Sequence, residues 1–125
     1  MTQEDKDLLL RDLCARLPHK TLIHIDGIGD KILNYADTED VFINCAPLHV
    51  IKTYLRPLSS LTQEERNKFC DIGGVISYRP TDGKQYIVAF VPEALDYLNS
   101  IHADYRGLIE KDLAIEVTDE NNPYK

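Results

Sequence analysis

The chain has 125 residues, 43% of them hydrophobic and 28% charged, with a formal net charge of −7. That is the length of one domain and a globular composition, outside the low-hydropathy, high-charge regime of disorder. No apolar run approaches the ~20 residues of a membrane span, and the acidic start Thr2-Gln3-Glu4-Asp5 is the reverse of a basic signal peptide, so a cytoplasmic location is expected.

The first helix is capped by Thr2, with Asp5 three residues on. Leu9, Leu13 and Leu17, flanked by Leu10 and Cys14, form one apolar stripe, and Pro18 ends it. Three β-rich runs follow: Thr21–Ile25, Lys31–Tyr35 and Val41–Cys45. Turns at 26–30 and 36–40 make them an antiparallel meander. Pro47–Leu61 reads as a connector with a weak helical centre at Val50–Leu55.

Thr62-Gln63-Glu64-Glu65 is a full capping box, and Gly73-Gly74 closes the helix it opens. The apolar face of that helix is thin, which places it on the surface. Val75–Arg79 and Gln85–Val91 form a hairpin around Pro80–Lys84. Pro92 starts a third helix with Ala94, Leu95, Leu98 and Ile101 inward. Asp104 is placed as the N-cap of a short fourth helix, Ala114–Val117 as an edge strand, and 119–125 as a flexible acidic tail. The expected fold is one α+β domain over residues 1–118. It has about five antiparallel strands, possible closure into an SH3-like barrel, an N-terminal helix, a middle helix and a C-terminal helix pair.

The charge is uneven. Residues 1–40 carry nine acids and five bases, residues 41–91 four acids and six bases, and residues 92–125 eight acids and three bases. An acidic chain is repelled by nucleic-acid backbones unless the middle third gathers Lys52, Arg56, Arg66, Lys68, Arg79 and Lys84 on one face. Cys14, Cys45 and Cys70 lack C-x-x-C spacing, so neither a disulfide framework nor a zinc site is indicated, and buried reduced thiols are expected. Asp26-Gly27-Ile28-Gly29-Asp30 lacks the spacing of a phosphate or calcium loop and reads as a turn. His19, His24, His49 and His102 stand in no metal-ligand spacing, and Ser59-Ser60 in no nucleophile elbow. No cofactor, metal or catalytic residue is assigned.

The densest polar stretch is Asn99–Arg106, with His102, Asp104, Tyr105 and Arg106. Such groups beside a helix bond to each other or to a partner. Two candidate binding patches result: His102, Tyr105 and Arg106, and Tyr54 with Arg56 in the proline-bounded connector.

Three segments carry a resemblance: Thr2–Pro18, Tyr54-Leu55-Arg56-Pro57-Leu58-Ser59-Ser60, and Asp104-Tyr105-Arg106-Gly107-Leu108-Ile109-Glu110-Lys111. Together they resemble, in the same order, a family of short proteins without assigned activity from Bacteroides-type gut bacteria, their phages and mobile elements. This chain departs from that pattern at His19-Lys20, where tyrosine and glycine are usual, and at Asp112, where glycine is usual. The resemblance implies an accessory protein of a bacterial or phage-infected cell and assigns no site. Three functions stay open: a protein-binding module, a nucleic-acid-associated adaptor using the basic middle third, and a small enzyme or nucleotide binder around His102, Asp104, Tyr105 and Arg106.

Overall fold

Thr2 opens the molecule as the spacing requires: its side-chain oxygen accepts from the Asp5 amide at 3.1 Å and starts helix α1, Gln3–Arg16. The computed structural model describes residues 2–27, 29–34 and 51–124. The buried face of α1 is Leu9, Asp12, Leu13 and Arg16, so two charged residues share the inward stripe with two leucines. A 3₁₀ turn at Leu17–His19 carries Pro18, and Lys20 leaves it left-handed at φ 54°.

Strands β1 (Leu22–Ile25) and β2 (Gly29–Ile32) pair antiparallel, from Leu22 opposite Ile32 to Ile25 opposite Gly29. The turn is therefore shorter than expected, because Gly29 and Asp30 already belong to β2. The expected strand Val41–Cys45 lies outside the described residues.

The segment expected as a connector with a helical centre is the middle of the sheet. Strand β3 runs Ile51–Pro57, with Ile51, Thr53 and Leu55 buried and the residues between them less so. That alternation is the period of a strand. β3 pairs antiparallel with β1 and parallel with two later strands, β6 (Ala103–Asp104) and β7 (Ala114–Glu116). The sheet is thus mixed, and it does not close into an SH3-like barrel. The parallel partners reach β3 through a long crossover, which a meander lacks.

A 3₁₀ turn at Leu58–Ser60 leads from β3 to helix α2 (Gln63–Ile72), where the capping box is complete. The Glu65 amide donates to Thr62 at 3.2 Å, and the Thr62 amide donates to the Glu65 carboxylate at 2.8 Å. Phe69 is fully buried, and its ring lies against the Gly74 backbone so closely that a Cβ there would meet it at 2.1 Å. Strands β4 (Val75–Tyr78) and β5 (Gln85–Ala89) form the expected hairpin as a separate two-stranded sheet. Helix α3 (Pro92–Ser100) buries Ala94, Leu98 and Asn99.

No fourth helix follows, so the expected C-terminal helix pair is a single helix. His102 turns left-handed at φ 62°, Ala103–Asp104 joins the sheet as β6, and Gly107 at φ 76° bends the chain again. The Asp104 carboxylate still accepts two amides, Leu108 and Ile109, both at 3.0 Å. It caps a loop that returns to the sheet instead of a helix. The segment read as a tail folds back at Tyr124, whose ring stacks on His102.

Among the described residues, three clusters form the core. Leu9, Leu13, Ile23, Leu33 and Ile51 join α1 to the sheet. Phe69, Leu58, Leu98 and Ala103 centre a second under the hairpin, and Leu55, Leu108, Leu113 and Ala114 form a third. Cys14 and Cys70 are exposed, contrary to the buried thiols expected, because each sits one residue off its helix's inward stripe. No helix among the described residues is long and apolar enough to cross a membrane.

Lys20 and Asp112 are left-handed, at φ 54° and 58°. A Cβ in that region costs about 1–2 kcal/mol, less for Asp than for Lys. Lys20→Gly is expected to raise stability by about 1 kcal/mol after the entropy cost of a glycine. Asp112→Gly gains less, since it also loses the exposed 3.0 Å ion pair with Lys52. Urea midpoints measure both, and a lower midpoint for Lys20→Gly sinks the strain account.

Candidate functional site

Asp12 is the hub of the polar stretch picked out by sequence, although it lies far from it in the chain. Its carboxylate, wholly buried, receives Arg16 from one turn away at 3.2 Å and Arg106 at 2.9 Å. Arg16 is also wholly buried and donates to the Ala103 carbonyl at 2.6 Å. Both guanidiniums lie near the Tyr105 ring, at 5.2 and 4.8 Å from its centre, within cation–π range. The Tyr105 hydroxyl donates to Asn99 at 2.9 Å. Arg16 Nη1 has no hydrogen-bond partner among the described residues, so the ring face is its nearest substitute.

His102 sits on the other side of β6. Its Nδ1 lies 3.2 Å from the Thr21 hydroxyl, and the Tyr124 ring stacks on it at 4.0 Å with 7° between planes. Burial, with Arg16 nearby, lowers its pKa to about 4, so the imidazole is neutral at pH 7. Tyr124 in turn donates its hydroxyl proton to the Tyr54 carbonyl at 2.7 Å and accepts from the Leu22 amide at 3.0 Å. Burial pushes that phenol up to about 12.

Arg56 grips Glu65 with two hydrogen bonds, at 2.8 and 2.7 Å, and donates to the Ser60 carbonyl at 3.1 Å. The Arg56 hydrogen bonds hold the Glu65 carboxyl down at about 2. Tyr54 donates its hydroxyl to Asp30 at 2.9 Å, beside the His24–Asp30 contact of 2.8 Å. The His24 and Tyr54 hydrogen bonds lower the Asp30 pKa.

The five candidate binding residues therefore do not converge. Tyr105 and Arg106 line a groove of about 900 Å³ between the hairpin and the 104–110 loop, spanned by the Lys84–Glu110 ion pair. Arg56 and His102 line another of about 550 Å³ with Ser60 and Tyr124. Tyr54 lines neither. In each case the polar atoms meet partners within the fold, which is the arrangement expected of a structural network. Asp12, Arg16 and Tyr124 were missed by the sequence reading. The helix face Leu9, Asp12, Leu13, Arg16 has the i, i+3, i+4, i+7 spacing of a buried stripe, so a signal for the first two existed.

The basic middle third is also committed. Lys52 pairs with Asp112, Arg56 with Glu65, Arg79 with Asp82 and Lys84 with Glu110. Arg66 donates to the Leu58 carbonyl, and Lys68 lies over the Tyr97 ring. No cluster of three His, Cys, Asp or Glu among the described residues is placed to hold a metal ion. No family model, curated protein or solved structure matches this chain.

Proposed function

We propose that the protein is a small accessory module that works by binding another protein. The carrying observation is the β4–β5 hairpin and the residues that follow it, where Val75, Tyr86, Val88 and Phe90 are each exposed. Single exposed apolar residues are ordinary, but several on one hairpin suit an interaction surface. The docking surface is then this hairpin and not the Tyr/Arg patches, whose groups are engaged internally. Engagement of all six middle-third cations favours a protein partner over a nucleic acid. The resemblance to short gut-bacterial and phage proteins, together with exposed thiols on Cys14 and Cys70, supports a reducing, cytoplasmic setting.

The test is capture from the native cell's lysate with wild-type and Val88→Lys baits. A partner retained by the first and lost by the second is expected. Equal capture by both, or none by either, overturns the assignment of this face.

A further inference from the structure

Beyond the buried Val117 the chain leaves the core. Thr118–Asn121 are exposed, and their side-chain hydrogen bonds run among themselves or to the adjacent Glu116 carbonyl. The Tyr124 amide likewise turns back on Asn122, at 3.0 Å. Among the described residues, the hydrogen bonds that tie 118–124 to a distant part of the fold are the two of the Tyr124 hydroxyl, to Leu22 and Tyr54. Hydrogen bonding thus anchors this strap through one side chain.

The slot that receives the side chain has the chemistry of a phenol site. The β1–β3 register, with Ile23 opposite Thr53, brings Leu22 opposite Tyr54. There the hydroxyl stands between the two strands, accepting from the Leu22 amide at 3.0 Å and donating to the Tyr54 carbonyl at 2.7 Å. One atom that accepts and donates at once is a hydroxyl or water; a carbonyl or ether oxygen only accepts, and an ammonium only donates. The third wall is the His102 imidazole, stacked on the ring at 4.0 Å and 7°, with its Nδ1 3.2 Å from the Thr21 hydroxyl. A flat face beside a donor and an acceptor selects an aromatic ring that carries a hydroxyl. His102 and Tyr124 also line the groove of about 550 Å³, which gives an incoming ring its approach.

We infer that this slot is a phenol-binding site, filled in the free chain by its own Tyr124 and open to a tyrosine side chain or other phenol that displaces it. A strap with one distant anchor competes as an effective concentration and does not wall the site off. Displacement releases 118–124, so the strap is an autoinhibitory contact. No hairpin residue lines the groove beside the slot, so the site stands or falls apart from the docking face proposed above.

The probe is p-cresol, the tyrosine side chain as a free molecule, with toluene as the counterpart that lacks the hydroxyl. Nuclear magnetic resonance of the full chain follows the His102 ring and the 118–122 amides. In Tyr124→Ala, p-cresol is expected to bind in the millimolar range, to raise the urea midpoint with concentration, and to return the His102 titration toward about 4. Wild type is expected to bind it at least about tenfold more weakly, because its own ring competes, and its 118–122 amides shift as the strap leaves. Tyr124→Phe, whose ring lacks the two hydrogen bonds, is expected to bind about fivefold tighter than wild type. It keeps the comparison available if Tyr124→Ala does not fold. A Thr-Asp-Glu-Asn-Asn-Pro-Tyr peptide, the strap's own sequence, separates the two sources of a phenol. Tighter binding of the peptide than of p-cresol supports a tyrosine presented by a chain, and the reverse order supports a free phenol. Three results overturn the site: toluene acting as well as p-cresol, p-cresol binding equally to all three proteins, or no binding at tens of millimolar.

Discussion

Asp12→Ala is expected to destabilise the protein by about 3–5 kcal/mol, the usual cost of removing one partner from a buried ion pair. The side chains of Asp12 and Arg16 are both fully buried, and Arg106 is mostly so. Without the carboxylate, Arg16 keeps one carbonyl at 2.6 Å and the Tyr105 ring, and its buried charge loses its ion-pair partner. Arg106 loses its 2.9 Å partner at the same time. That cost is a large part of the 5–15 kcal/mol that holds a domain of this size together. Asp12→Asn keeps the shape and one of the two acceptor oxygens, so it separates lost charge from lost volume. Arg106→Met removes the more exposed cation, leaves the Asp12–Arg16 pair intact, and is expected to cost about 1–2 kcal/mol. Urea unfolding at neutral pH ranks the three, and an Asp12→Ala midpoint close to wild type contradicts the hub role.

Local chemistry was legible in the sequence where a residue answers to its near neighbours. The Thr2 and Thr62 caps, the hairpin around 80–84 and the Pro92 start all depend on contacts a few residues apart. β3 was not legible as the central strand. Its alternation of Ile51, Thr53 and Leu55 with Lys52, Tyr54 and Arg56 has the period of two of a strand, but the run is short and its lysine and arginine lower the β-propensity. Pro57 at its end pointed the same misleading way. The polar side chains are there because Tyr54 and Arg56 reach Asp30 and Glu65, partners that no local window contains.

Asp104 illustrates a half-legible residue. Its chemistry was visible, since an Asp before Leu108 and Ile109 can satisfy their amides, and it does. What it caps was not visible. Pairing of Ala103–Asp104 with Arg56–Pro57 fixes the preceding residues as strand, and Gly107 turns the chain before a helix can begin. Arg106 has Glu110 four residues on in the chain. It pairs with Asp12 instead, while Glu110 is taken by Lys84. Tertiary proximity outweighs sequence proximity wherever the competing partner is already desolvated.

Tyr124→Ala carries the second large effect, about 2–3 kcal/mol, from a residue in a segment that reads as a tail. The ring covers His102, and the hydroxyl serves the Leu22 amide and the Tyr54 carbonyl, which lie on β1 and β3. Loss of the side chain uncovers the imidazole and leaves both backbone groups to find water. The pH dependence is a separate readout. His102 titrates at about 4 in the folded protein, below its ordinary 6.5. Folded protein therefore binds this proton less readily than unfolded chain. The contribution to stability is complete above pH 6.5 and declines as pH falls toward 4. His102 is partly solvent-exposed, so screening limits the effect to about 1–2 kcal/mol. Glu65, held at about 2 against an ordinary 4.5, adds its own loss of stability as pH falls from about 4.5. In Tyr124→Ala the imidazole meets water, its pKa rises toward 6.5, and the slope of stability between pH 6.5 and 4.5 flattens. Tyr124→Phe keeps the stacked ring and loses only the hydroxyl. It is expected to cost about 1 kcal/mol and to leave His102 titrating low. Nuclear magnetic resonance titration of His102 in the three proteins reads the difference directly. If the Tyr124→Ala imidazole still titrates near 4, desolvation by the folded-back C-terminus is not what holds it there, and the rest of its burial and the nearby Arg16 charge hold it instead.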